Sequence, residues 1–171
     1  MSSYVGFTCS CCGGEHDTLP MHYNSAAPAY WSETVAAHPD SELTSDQCVI
    51  EGEHLFVKGL IEIPVIDGDV FSWAVWVSLS PQNFVRMSEL WETSGREQEP
   101  PYFGWLATEL FLYDHPTLNL KTNVHTRPVG ERPFVELEPT DHPLAVEQRT
   151  GITKDRVQWF AEQFMHSQGD H

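Results

Sequence analysis

Residues 61–79 constrain this chain more than any other stretch. Ile61, Ile63 and Val65 alternate with Glu62, Pro64 and Ile66. Beyond Asp67-Gly68, the residues Phe71, Trp73, Val75, Val77 and Leu79 alternate with Ser72, Ala74, Trp76 and Ser78. Successive side chains of a strand point to opposite faces, so a period of two over this length reads as strand, turn, strand with one apolar face. Asp-Gly between two such runs favours a type I′ hairpin turn. Pro64 has no N–H to donate, which puts its strand at an edge or a bulge.

The flanking segments extend this unit. Upstream, Leu19-Pro20 and Ala27-Pro28 break up an irregular stretch, and Ser32 is an N-cap for a short helix with Glu33 in its first turn, stopped by His38-Pro39. Asp46 to Ile50 starts a strand, Gly52 permits a turn, and Leu55-Phe56-Val57 resumes extended structure. Downstream, Ser80-Pro81 opens a helix with proline in its first position, and Phe84, Met87, Leu90 and Trp91 recur at helical spacing until Gly95. Glu99-Pro100-Pro101 links to Tyr102–Leu106. Leu118, Leu120, Thr122, Val124 and Thr126 alternate with polar residues, the pattern of a strand with one wet face in an antiparallel sheet. Val129-Gly130-Glu131 turns the chain into another strand, 133–138. Asp141 is the expected cap of a short helix that Gly151 ends, and Thr153 caps a last helix whose Val157, Phe160, Ala161, Phe164 and Met165 form one stripe.

The sum is an α+β fold: an antiparallel sheet with two main helices packed on it and an N-terminal zinc-knuckle arm. The expected organisation is a single domain, 1–171, with an arm at 1–50, a body at 51–166 and a frayed tail at 167–171. A chain of this length buries a core without staples.

The arm rests on Cys9-Ser10-Cys11-Cys12-Gly13-Gly14-Glu15-His16. Zinc favours thiolate and imidazole ligands in a tetrahedron, and two cysteines two residues apart reach one ion. Cys9 and Cys12 have that spacing, and Gly13-Gly14 lets the backbone curl round the ion. His16 is the third candidate ligand and Cys48 the fourth, with His54 and Asp46 as runners-up. Cys11 is surplus, although a frame using Cys11 in place of Cys9 is open. The competing readings are buried thiols acting as small hydrophobes, a redox pair, and disulfides. A structural zinc ion is the expected cofactor.

The net charge of −16 and a pI near 4.7 set the partners. Phosphate backbones and anionic membrane surfaces repel such a chain, so neither nucleic acid nor membrane is expected. No Lys or Arg precedes Lys58, no basic start leads into an apolar run, and no stretch is long and apolar enough to span a bilayer, so a cytoplasmic location is expected. The charge suits a basic protein partner or serves solubility alone.

Cys9-x-x-Cys12-Gly13-x-x-His16-x-x-Leu19-Pro20, Asp46-x-Cys48, Gly59-x-x-Glu62-Ile63-Pro64-Val65, Trp76–Ser80, Phe103–Leu106 and His142–Ala145 run through nearly the whole chain. In these pieces the chain resembles the bacterial family catalogued as domain of unknown function 2199. The resemblance implies no activity, substrate or partner. It puts Cys9, Cys12, His16 and Cys48 inside matched segments and leaves Cys11 and His54 peripheral.

Two other groups are candidates for chemistry. Trp76, Tyr102, Phe103 and Trp105 either line an apolar pocket or pack the core. His142, between Asp141 and Pro143, is either a base or ligand, or part of a helix entry. No nucleophile elbow, phosphate loop, dinucleotide fingerprint or His-Glu-x-x-His motif is present. The expected function is a zinc-stabilised module that binds a basic protein or a small molecule. The alternative is a metal-dependent hydrolase with an open zinc position.

Overall fold

The computed structural model describes residues 7–8, 15–16 and 19–169. Two short strands, β1 (Phe7–Thr8) and β2 (Glu15–His16), pair antiparallel with Phe7 opposite His16. The chain continues through β3 (His22–Asn24), α1 (Glu33–Ala36), β4 (Glu42–Leu43), β5 (Gln47–Ile50), β6 (His54–Pro64) and β7 (Val70–Leu79). It then runs through α2 (Pro81–Glu89), β8 (Tyr102–Leu106), β9 (Lys121–His125), β10 (Phe134–Leu137), α3 (Pro143–Thr150) and α4 (Lys154–Gly169).

The alternating stretch forms the long β6–β7 hairpin, paired from Leu55 opposite Leu79 to Pro64 opposite Val70. Its connection is not the two-residue turn that Asp-Gly suggests. Five residues, 65–69, join the strands, with Asp67 at φ 59° and Gly68 N–H donating to Val65 O at 3.0 Å. The reason lies in the linker between α3 and α4. Ile152 N–H donates to Pro64 O, and Ile152 O accepts from Ile66 N–H, both at 2.8 Å. The strand end is therefore engaged with a third segment, and the chain must clear it before turning.

Both long strands change neighbours along their length. β6 pairs with β5 through Val57 and meets β10 at Leu60. β7 pairs with β3 at residues 72–74 and with β8 at residues 77–79. The strands β6, β7, β8, β9 and β10 each pair with the next, and β10 returns to β6, closing a five-stranded barrel. Each of the four meander pairings is antiparallel, so direction alternates and the first and fifth strands run the same way. The closing pair must then be parallel, as found for Phe134 beside Leu60. The antiparallel expectation thus holds along the meander and is corrected at the closure and at β3.

Odd-numbered residues of the hairpin fill the barrel. Val57, Ile61, Ile63, Phe71, Trp73, Val75 and Val77 are essentially inaccessible. The helices cap this core with Met87 of α2, Leu144 and Ala145 of α3, and Val157, Phe160 and Ala161 of α4. Three helices rather than two contribute, because the short α3 buries Leu144 and Ala145. The opposite face of the hairpin is also covered. Phe56 and Trp76 join Cys48, Ile50 and Ala107 in a second cluster, roofed by Trp31, Val35 and Leu43. Residues 22–50 are in this way woven into the sheet.

Caps follow the local chemistry with one correction. Ser32, Ser80 and Thr153 accept N–H bonds at the starts of α1, α2 and α4. At α3 the cap is His142, not Asp141: its Nδ1 accepts from Leu144 N–H at 3.0 Å.

Candidate functional site

The second cluster leads outward to two adjoining clefts with aromatic walls. The β5–β6 turn puts Glu51 and Gly52 at φ 55° and 72°, and Glu53 N–H closes it onto Ile50 O at 3.0 Å. A glutamate with positive φ is strained relative to glycine or asparagine. Two side-segment bonds hold it there, Glu51 N–H to Ser41 Oγ and Gly52 N–H to Asp40 O, each at 2.9 Å. Beside this turn lies a cleft of about 390 Å³, whose apolar walls include Ile50, Phe56 and Leu79 and whose polar groups are Glu53, His54 and Ser78.

Tyr30 forms one wall. Its ring stacks on Phe56 with centroids 6.1 Å apart, and its hydroxyl donates to Asn119 Oδ1 at 3.3 Å. Tyr30 also lines a second cleft of about 410 Å³, bounded by Trp105, Ala107, Asn119 and the same Ser78. Asn119 is itself held at φ 68° by its N–H donating to Leu106 O at 2.7 Å. Tyr30 and Ser78 are therefore shared by two adjoining clefts.

The alternation of β8 decides which of the expected aromatic residues reach this surface. Phe103 and Trp105 point outward, about 40% exposed, with their rings edge to face at 5.2 Å. Lys121 Nζ lies 5.9 Å from the Trp105 ring. Tyr102 points inward and donates to Glu99 Oε1 at 2.6 Å. Burial first, and then that carboxylate, push its phenol up to about 12. Trp76 is fully buried, its indole N–H donating to Ser25 O at 2.8 Å and its backbone N–H to Thr108 Oγ1 at 2.8 Å. It ties the segment that carries Tyr30 to the barrel instead of lining an opening. His142 is elsewhere: its Nε2 faces the carbonyls of His115 and Pro116 at 3.2 and 3.1 Å while Nδ1 caps α3. Both ring nitrogens are occupied, as in the helix-entry reading.

The metal candidates divide. Cys9 and Cys12, with the surplus Cys11, lie outside the described residues, and of His16 only the strand pairing is described. Cys48 is a free thiol, 1% exposed, across from Phe56 on β6. Burial pushes it up to about 11. Asp46 accepts from Arg132 Nε at 3.0 Å, and His54 lies at the first cleft. Among the described residues no three His, Cys, Asp or Glu side chains gather as a metal site.

Tyr30 and Lys58 carry no pattern in the sequence, and Ser78 and Asn119 appear there only as members of alternating stretches. Tyr30 precedes a helix in an irregular stretch, and its partners come from residues 48 and 89 positions away. Lys58 is the one basic residue on the apolar second face, 4% exposed, with its ammonium 5.3 Å from the Trp76 ring. Its pKa is lowered by burial and by Arg132, and partly restored by Asp46. A lysine flanked by Leu55-Phe56-Val57 and Gly59-Leu60-Ile61 was the available signal.

No helix among the described residues is long and apolar enough to cross a membrane. The family model described as an uncharacterized protein conserved in bacteria (DUF2199) matches residues 8–152. No curated protein and no solved structure matches the chain.

Proposed function

We propose, from the premise that the chain belongs to the bacterial DUF2199 family, that this protein is a binding module whose site is the pair of clefts that share Tyr30. The observation that carries this reading is the exposed aromatic group, Tyr30, Phe103 and Trp105, mounted beside two concave surfaces on a closed barrel wall. Ligand sites combine apolar walls with a few polar groups on a rigid support, and the clefts offer Ser78, Glu53, His54 and Asn119 in that role. A thermal-shift screen against a small-molecule library tests it. Ligands that raise the melting temperature of the wild type should lose that effect in Tyr30→Ala and Trp105→Ala. Hits whose effect survives both substitutions would place binding elsewhere.

A zinc ion held by Cys9, Cys12, His16 and Cys48 is the accompanying proposal. It is supported by the ligand spacing and by the β1–β2 pairing, which joins the two ends of the cysteine segment. Burial holds the Cys48 thiol protonated at neutral pH, so Cys48 would be ligated through displacement of its proton by the metal. The ion would clamp the N-terminal hairpin to β5. Elemental analysis of protein purified without chelator should find one zinc per chain, and Cys48→Ser should lower it. Stoichiometric zinc in Cys48→Ser would remove Cys48 from the set.

A further inference from the structure

The chemistry of the two clefts differs at their far ends. The first ends on the β5–β6 turn and is lined there by Glu53. Neither a lysine nor an arginine lines this cleft. The second cleft ends at Trp105, over which Lys121 already lies. One end is therefore acidic, and the other has its aromatic face beside a resident cation. Between them the exposed Tyr30 ring, stacked on the buried Phe56, offers a flat apolar wall. The whole chain, at net −16, draws cations toward its surface.

We infer that the first cleft takes an organic cation: a protonated amine on a flat apolar body, with the ammonium at Glu53 and the body against Tyr30, Phe56 and Leu79. This deepens the proposed binding function and rests on it. The geometry favours that orientation over the reverse, because an ammonium at the Trp105 end would meet Lys121. Anionic ligands are disfavoured by the Glu53 carboxylate, and neutral ones lose the charge contact.

The test compares three probes of one shape: 2-phenylethylamine, 2-phenylethanol and phenylacetate. Binding to the full chain is read by amide chemical-shift titration at pH 8 and low ionic strength. The amine should bind at least about fivefold more tightly than the alcohol, a margin of the size of one exposed cation–π or ion contact. The acetate should not bind. Shifts should centre on His54, Tyr30 and Ser78. Glu53→Gln, an exposed position, should bring the amine down to the affinity of the alcohol. Tyr30→Ala should weaken both. Equal affinity for amine and alcohol at this cleft, or preference for the acetate, would overturn the cation assignment and leave the binding module standing. Absence of binding by all three probes at millimolar concentration would overturn the assignment of this cleft to small amines, and the library screen then decides the broader reading separately.

Discussion

Replacing Gly59 by alanine probes the closure of the barrel. Gly59 lies in β6 where β10 comes alongside. A Cβ there would sit 2.5 Å from Val135 Cγ2 and 3.0 Å from Pro133 O, far inside ordinary contact. Neither neighbour retreats easily. Val135 is fully buried and branched at Cβ, and Pro133 O accepts the Leu60 N–H at 2.9 Å in the seam between β6 and β10. Overpacking of this kind costs about 1–3 kcal/mol. Loss of glycine's freedom in the unfolded chain returns about 0.4–1 kcal/mol. The net expectation is a loss of about 1–2 kcal/mol, which at a urea slope of about 2 kcal/mol/M lowers the midpoint by about 0.5–1 M. Equilibrium urea unfolding followed by tryptophan fluorescence measures it. Val135→Ala in the Gly59→Ala background should cost less than the sum of the two single changes, because it removes one of the clashing methyls. A Gly59→Ala protein as stable as the wild type, or strict additivity in the double variant, would refute the tight parallel seam.

Other expectations follow from the same contacts. His142→Ala removes the cap of α3 and should cost about 0.5–2 kcal/mol in urea unfolding, whereas His142→Asn, which keeps a side-chain acceptor, should cost less. The Tyr102 phenol is raised in the folded chain from 10.0 to about 12, so its contribution is complete below pH 10 and is lost as pH rises toward 12. Unfolding midpoints should fall across that window, and less steeply in Tyr102→Phe. Cys48, at 1% exposure, should resist alkylation at pH 8 in the native protein and react on unfolding in urea. Labelling at the rate of a free thiol without denaturant, read by peptide mass, would contradict its burial.

The long hairpin was legible because period two survives in sequence whatever lies on either side. The α4 stripe through Val157, Phe160 and Ala161 was legible for the same reason at period 3.6. The barrel was not, since closure depends on β10 reaching β6 across seventy residues, and no local pattern records that Gly59 is where they touch. The short β6–β7 turn was misread because Ile152, distant in sequence, holds the strand end. At α3, aspartate's capping preference pointed to Asp141, but His142 sits one residue nearer the helix and its Nδ1 accepts the Leu144 N–H. Within the candidate site, the sequence reading left Tyr102, Phe103 and Trp105 together, and the alternation of β8 is what separates them. Tyr30 acquires its role only from Phe56 and Asn119, which the fold brings to it.

Mapping where small ligands bind, by amide chemical shifts of the labelled full chain against a fragment library, tests the central claim most directly. The account predicts that the perturbed residues converge on Tyr30, His54, Ser78 and Asn119, around the two clefts. Fragments that bind specifically and instead converge on another face of the barrel would contradict it.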